Sequence, residues 1–147
     1  MGSTTALNIT AYDIAQRFIG TKEVPGTGDN AAIVAMLRLD GDWPKNDEVP
    51  WCSAFVNYIA WLLRLPRSKS LAARSWLGVG LPIHLSDAMP FYDVVVLSRD
   101  GDPDSGHVGF FSSLLDQKVY LLGGNQGNQV SVAPFDVQRV LGVRRLV

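Results

Sequence analysis

The spacing of apolar residues changes character once along this chain, near residues 82–90. Before that point, apolar residues recur at helical intervals; after it, they form short β-branched runs between turn residues, which indicates strands. The predicted strands cover 93–98, 107–112, 118–122, 129–133 and 140–146. Because the helices precede the strands rather than alternate with them, we predict an α+β fold with an antiparallel sheet of about five to six strands.

The clearest predicted helix begins at Cys52 and ends before Pro66. Its apolar residues share one face, which is typical of a buried helix: Phe55, Tyr58, Ile59, Leu62 and Leu63. Further helices are predicted at 11–19 with Thr10 as the cap, after Asp29 or Asn30, and at 71–77. We expect these helices to pack on the sheet.

Composition narrows the class of protein. The 147 residues suit one domain, which we assign to 10–147, after a tail at 1–9. A net charge of −1 gives no general attraction to nucleic acid. No stretch reaches the roughly 18 apolar residues that span a bilayer, and the first residues show no secretory signal. One cysteine and two histidines are too few for a structural zinc site, so we expect no metal and no cofactor.

Cys52 is the only cysteine, and therefore the only candidate for a thiol nucleophile. At the start of a buried helix it would meet backbone N–H groups and the positive end of the helix dipole, which stabilise a thiolate. The same N–H groups can hold the oxyanion of a tetrahedral intermediate. The alternative is that Cys52 is a small buried apolar residue, as free cysteines often are.

Two histidines are candidates for the base that such a nucleophile needs. His107 opens a predicted strand, whereas His84 lies in a bend at 82–87. A catalytic base must be held rigidly within hydrogen-bond reach of the sulfur, and a strand supports it better than a loop does. We therefore expect His107 to be the base. The alternative for either histidine is an ordinary surface or capping residue.

An acceptor for the imidazole is expected on the next strand, because such a group fixes the tautomer of the ring. The run at 123–128, Gly-Gly-Asn-Gln-Gly-Asn, follows the third predicted strand. Asn125 is the first choice, with its side-chain oxygen accepting from Nδ1 of His107. Gln126 and Asn128 are weaker alternatives, as amides that contact the substrate. The run also has the composition of a plain hairpin turn.

Other catalytic patterns are missing from the sequence. It has no G-x-S-x-G elbow, no G-x-x-x-x-G-K-[ST] phosphate loop and no H-E-x-x-H zinc motif. Paired carboxylates for glycoside cleavage stay open as an alternative, with Glu23, Asp47 and Glu48 as candidates, although no pattern supports them.

Four segments, in this order, carry a resemblance to a known family. They are 49–57 (Val-Pro-Trp-Cys-Ser-Ala-Phe-Val-Asn), 73–76 (Ala-Arg-Ser-Trp), 106–110 (Gly-His-Val-Gly-Phe) and 123–126 (Gly-Gly-Asn-Gln). Together they resemble the CHAP and NlpC/P60 group of cell-wall cysteine peptidases and amidases. More narrowly, the chain resembles a small single-domain family often encoded by phages and prophages.

The resemblance implies a papain-like core with N-terminal helices packed on the sheet. It implies that Cys52, His107 and Asn125 act as nucleophile, base and orienting residue, and that the substrate is an amide bond of peptidoglycan. Members of the group cut between muramic acid and L-alanine, or within the stem peptide or cross-bridge. One departure is Pro-Phe-Tyr-Asp at 90–93, where the group usually has a Pro-Gly-Asp turn.

We expect four residues to contact the substrate: Trp51, Arg74, Trp76 and Gln126. Core packing suits the tryptophans equally well, and a structural salt bridge suits Arg74 as well as a substrate carboxylate does. Some CHAP enzymes bind calcium through acids just before the cysteine. The acids at that place here have a different spacing, so no calcium site is predicted: Asp40, Asp42, Asp47 and Glu48.

The expected partner is bacterial peptidoglycan, with no nucleic acid, no membrane insertion and a monomer as the default state. We expect synthesis in the cytoplasm and action in the periplasm or cell wall, as an endolysin released by a holin or as an interbacterial effector delivered by a secretion system. Two alternatives stay open. One is a catalytically inactive module that binds the wall or a protein, and the other is a Cys-dependent amidase or transferase that acts on a protein.

Overall fold

The computed structural model describes residues 7–24, 29–41, 50–99 and 101–147. Within these ranges lie three α-helices, α1 (Ala11–Gln16), α2 (Ala31–Leu37) and α3 (Cys52–Leu62). The strands are β1 (Leu81–Ile83), β2 (Asp93–Arg99), β3 (Asp102–Leu115), β4 (Lys118–Gly123), β5 (Ser131–Asp136) and β6 (Val140–Arg145). Short 3₁₀ helices occupy Ala73–Gly78, where a helix at 71–77 is predicted, and Leu85–Asp87 and Val137–Arg139. The predicted α+β class is confirmed.

The strands form one antiparallel sheet in the order β1-β6-β2-β3-β4-β5. The segment from β2 to β5 is the predicted meander, whereas β6 returns to pair with the other side of β2. The sequence pattern does not predict β1, because this edge strand has three residues and contains Pro82. None of the described helices has the length and apolar character that crossing a membrane requires.

Side-chain caps set where the first two helices begin. Thr10 and Asp13 form a reciprocal capping box at α1, as the sequence predicts for Thr10, and Asn30 caps α2. At α3 the capping position is Trp51, which makes no side-chain capping bond. The first N–H groups of α3 therefore lie beside Cys52 without a capping side chain.

The helix predicted at 11–19 ends at Gln16. After it the chain turns to pair with residues just before β5. The N–H of Gly20 donates to the carbonyl of Val130 at 3.0 Å, and the N–H of Val130 donates to the carbonyl of Thr21 at 2.8 Å. These bonds hold the segment after α1 beside the loop that follows β4.

The two faces of the sheet are covered differently. On one, here the helix face, α3 packs with Phe55 against Phe110, and Val108 belongs to the same buried cluster. The other, here the outer face, carries a second buried cluster: Val95, Leu97, Phe111, Val119, Leu121 and Val143. His107 pairs in register with Leu97 of this outer cluster. Because successive side chains of a strand point to opposite faces, His107 belongs to the outer face and Val108 to the helix face.

Candidate active site

Cys52 is the first residue of α3, and its side chain is buried, with 6% of the residue exposed. Burial raises the pKa of the Cys52 thiol, and backbone N–H groups of Val108 and Ser53 oppose the rise by hydrogen bonding to the sulfur. The sequence argument predicts a stabilised thiolate at this position. In the structure, desolvation outweighs the N–H groups, so the resting group is a protonated thiol.

His107 is buried on β3, with 4% of the residue exposed. Its Nε2 lies 2.9 Å from Oε1 of Gln126, and its ring centroid lies 5.1 Å from that of Phe135. The pKa of His107 is lowered to about 4, mainly by burial; the bond to Gln126 opposes this shift, and the charges of Arg99 and Arg139 add to it. The imidazole is therefore neutral at pH 7.

Gln126 determines which nitrogen of His107 carries the proton. Its Nε2 donates to the carbonyl of Leu121 at 3.0 Å and to the carbonyl of Ser131 at 2.7 Å. Two carbonyl partners require the amide nitrogen at that end, so the amide oxygen faces His107 and can only accept. His107 must therefore donate from Nε2, which leaves the lone pair on Nδ1 free to take a proton.

The glycines before Gln126 make room for this arrangement. A Cβ at Gly123 would clash with the Gln126 amide, and a Cβ at Gly124 would lie 2.7 Å from the ring of Trp51. The two glycines thus face opposite sides of the sheet, one toward the amide and one toward the indole. The sequence analysis treats these two glycines as turn residues. Glycine in a strand also marks a place where other groups approach the backbone closely, and that meaning of the pair could have indicated the packing of Gln126 on the strand.

The hydrogen bond at His107 is made by Gln126 and not by Asn125, and it uses Nε2 rather than Nδ1. Asn125 has a φ of 58°, a left-handed conformation that asparagine tolerates well, so its backbone makes the turn. The turn directs the following side chain back to the sheet, where the longer glutamine reaches His107. Asn128 also has a left-handed φ, of 61°, and is exposed.

Cys52, on α3, approaches β3 at Val108, the residue after His107, and no hydrogen bond joins the thiol and the imidazole. The sulfur of Cys52 accepts a hydrogen bond from the backbone N–H of Val108. The imidazole leaves β3 one residue earlier, toward the outer face. The candidate base is therefore the residue directly before the one whose N–H contacts the candidate nucleophile.

A cleft of about 480 Å³ opens on the outer face beside His107. Its lining residues are Arg99, His107, Asn125, Gln126, Gly127, Ala133, Phe135 and Arg139. The sequence interpretation includes neither arginine, nor Phe135. These residues come from β2, β5 and the 3₁₀ helix before β6, so only the folded sheet places them next to His107.

Trp51 and Trp76 are completely buried, so their side chains cannot contact a substrate, and the core alternative accounts for them. The indole N–H of Trp51 donates to Oε1 of Glu23 at 2.7 Å, and that of Trp76 donates to Oγ of Ser53 at 2.9 Å. The two tryptophans thus fix the residues on either side of Cys52. Glu23, a candidate for glycoside cleavage, serves here as the acceptor for an indole.

Arg74 holds the beginning of β3. Its Nε donates to the carbonyl of Ser105 at 2.7 Å, and its Nη2 donates to the carbonyl of Asp102 at 3.1 Å. These bonds of Arg74 are structural, and they go to carbonyls rather than to the carboxylate of the alternative salt bridge or of a substrate. His84 is exposed at the start of a 3₁₀ helix, away from the cleft.

Gln126 is predicted to contact substrate through its amide. In the structure, the amide is buried, both N–H groups go to carbonyls and the oxygen pairs with His107. In the part of the chain that the structure describes, no group of three or more His, Cys, Asp or Glu residues could hold a metal ion. Asp40 instead pairs with Arg67 at 3.1 Å. The other acids considered for calcium or glycoside cleavage lie outside the described residues: Asp42, Asp47 and Glu48.

No family model and no curated protein matches the chain. The solved structures of NlpC1 and NlpC2 from Trichomonas vaginalis each align with 92% of it, at 17% identity and a TM-score of 0.55. An NlpC/P60 family protein from Bacillus cereus aligns with 65% of this chain and 31% of its own, at 16% identity and a TM-score of 0.47. The alignments cover 42% and 44% of the two Trichomonas chains, so the present chain spans less than half of their length. The fold of this chain is similar to that of the two Trichomonas NlpC structures.

Proposed function

We propose that this chain hydrolyses an amide bond of peptidoglycan, with Cys52 as nucleophile, His107 as base and Gln126 as the residue that positions the base. The observation that carries the proposal is the bond network of Gln126. Its amide is fixed by two carbonyls, accepts from Nε2 of His107 and so leaves Nδ1 as the basic nitrogen. The buried glutamine thus fixes the tautomer and the orientation of His107, and a general base needs both to be fixed.

The chemistry starts from a neutral thiol and a neutral imidazole. Nδ1 of His107 takes the proton of Cys52 as the thiolate attacks the amide carbonyl. Uncapped N–H groups at the start of α3 are suited to hold the oxyanion. His107 then gives its proton to the leaving amine, and water releases the acyl group from the sulfur. The first transfer requires the thiol and imidazole to approach within hydrogen-bond reach, a contact that often tightens only when substrate binds.

Peptidoglycan is supported as the substrate by the resemblance of four ordered segments to cell-wall cysteine hydrolases, together with the similarity of the fold to that of the two Trichomonas NlpC structures. The bond cleaved is either the one between muramic acid and L-alanine or one within the stem peptide or cross-bridge. We place the action in the periplasm or cell wall. Delivery by a holin, as for an endolysin, and delivery by a secretion system, as for an effector, are both consistent with this role.

A second candidate is a binding module without turnover. The observation that favours it is the state of Cys52, which is buried, protonated and not hydrogen bonded to His107. Such a module would hold wall peptide in the cleft beside His107 without cutting it. Binding with no released fragments distinguishes this candidate from the hydrolase.

The test is incubation of purified peptidoglycan with wild type and with Cys52→Ala, followed by mass spectrometry of the soluble products. We expect fragments from wild type and none from the variant, and the new ends will identify the bond. A free lactyl carboxyl group with a free L-alanine amine means an amidase, whereas a new amine within the stem peptide or cross-bridge, with the lactyl amide intact, means a peptidase. His107→Ala should also be inactive, with His84→Ala as the matched control of unchanged activity. Full activity of Cys52→Ala would refute the mechanism.

A further inference from the structure

The cleft beside His107 is cationic, although the chain as a whole carries a net charge of −1. Arg99 lies at the end of β2 and Arg139 at the end of the 3₁₀ helix before β6, and both line the cleft. Each is near enough to affect the protonation of His107. None of the described lining residues is acidic. The described lining thus presents two positive charges and no negative side chain.

Arg139 is held in place by groups that do not neutralise it. Its Nε donates to the carbonyl of Ser98 at 3.0 Å, and its guanidinium carbon lies 5.4 Å from the ring centroid of Phe135. The nearby acid, Asp136, forms its salt bridge with Lys118, although the charge of Arg139 also acts on it. A guanidinium fixed through one nitrogen and one aromatic face keeps its other donors for a ligand.

Arg99 completes the pair. It is exposed, and its charge acts on both Cys52 and His107. Arg99 therefore lies close to the reacting groups, and no acid in the described ranges forms a salt bridge with it.

We propose that Arg99 and Arg139 form a subsite for a carboxylate of the substrate, on the leaving-amine side of the scissile amide. This inference rests on the proposed function. His107 must protonate the leaving amine, so the leaving part of the substrate enters the cleft that His107 lines. Cys52 does not line this cleft, so the acyl part that it binds lies outside it. Guanidinium groups bind carboxylates through paired, charge-assisted hydrogen bonds. The specificity that follows is for stem peptides whose carboxylate on that side is free rather than amidated.

The test uses soluble peptidoglycan fragments with free stem-peptide carboxylates, and the same fragments after carbodiimide coupling to ammonia, which converts carboxylates into carboxamides. For wild type we expect kcat/KM to be about ten- to a hundredfold higher for the free acids. Arg99→Gln and Arg139→Gln should each reduce this ratio, and the double variant should bring it near one. Arg17→Gln, which removes an exposed arginine on α1's C-terminal side, is the matched control with an unchanged ratio.

The ratio of kcat/KM for the free acids to kcat/KM for the amidated fragments distinguishes loss of carboxylate binding from loss of structure. A variant that only disturbs the fold lowers kcat/KM for both substrates by the same factor. Synthetic stem peptides amidated at one carboxylate at a time then locate the group: only the carboxylate on the leaving side of the cut should matter. Equal rates for acid and amide in wild type would overturn the subsite and leave the hydrolase standing. If wild type cleaves nothing, the function fails, and calorimetric titration of Cys52→Ala with the same fragments still decides the subsite. A preference for the acids that the double arginine variant loses would support it; equal affinities would refute it.

Discussion

Replacing Gln126 by methionine tests the central arrangement of the site, because methionine keeps the length of the side chain and removes its hydrogen bonds. Three bonds disappear: those to the carbonyls of Leu121 and Ser131, and the one from Nε2 of His107. Each bond contributes about 0.5–1.5 kcal/mol, and its former partner, a carbonyl oxygen or the imidazole N–H, stays buried without a hydrogen bond. We therefore expect the free energy of unfolding to fall by about 2–4 kcal/mol.

Catalysis should suffer beyond the loss of stability. The bond from His107 to Gln126 becomes charge-assisted when the imidazole is protonated, and such bonds contribute about 1.5–3 kcal/mol. At about 1.4 kcal/mol per factor of ten, kcat/KM should fall about 10- to 100-fold. The bond also raises the pKa of His107, which is lowered to about 4, mainly by burial. Its removal lowers that pKa further, so the acid limb of the pH–rate profile should move to lower pH.

The assay is fragment release from peptidoglycan between about pH 3 and 8, at a temperature below the melting transition that circular dichroism gives for each protein. Asn125→Gly is the matched control, because glycine adopts the left-handed φ of 58° at this position and leaves the partner of His107 intact. It should keep its activity within a few fold. Equal losses in the two variants, or an unaffected Gln126→Met, would refute the assignment of Gln126.

Three further outcomes follow from burial and packing. The pKa of His107 falls from 6.5 when exposed to about 4 when buried, so the unfolded chain binds a proton at a higher pH than the folded chain does. The free energy of unfolding should therefore drop by up to about 3 kcal/mol as pH falls from 6.5 toward 4. In urea titrations, His107→Gln should lose this dependence of stability on pH. Alkylation of Cys52 by iodoacetamide should be slower at pH 7 than that of free glutathione, because burial raises the thiol pKa; equal rates would contradict a protonated, buried thiol. Gly124→Ala should lower the free energy of unfolding by about 1–3 kcal/mol through its contact with Trp51, whereas Gly78→Ala, whose added Cβ meets nothing within 4 Å, should change it little.

The elements around the site could be read from local sequence, because their signals are local. Thr10 and Asn30 cap helices as their side-chain chemistry predicts, and α3 begins at Cys52 as its apolar spacing predicts. The β-branched run at 93–98 is β2, buried between two neighbours. Capping and periodicity depend on residues a few positions apart, so a single sequence contains them.

The contacts of the site depend on distances that the sequence does not contain. Alternation shows that His107 and Val108 face opposite ways, but not which face receives α3. Whether Trp51 lies in the core or in a groove is decided by Glu23, which accepts its indole N–H from 28 positions away. Arg139 reaches His107 only because β5 and the turn after it bring it across the sheet.

The position of β6 also bears on how the molecule is made. β6 lies between β1 and β2, and it is the last strand of the described sheet to be synthesised. It is also the second neighbour of β2, whose residues from Val94 to Leu97 are completely buried. On the ribosome, β2 to β5 can pair first, while one side of β2 remains an unpaired apolar edge of the kind that recruits other chains. Synthesis interrupted before residue 140 would leave that edge open permanently. Because His107 lies on the strand next to β2, we expect the proposed active site to be completed only after β6 has been synthesised.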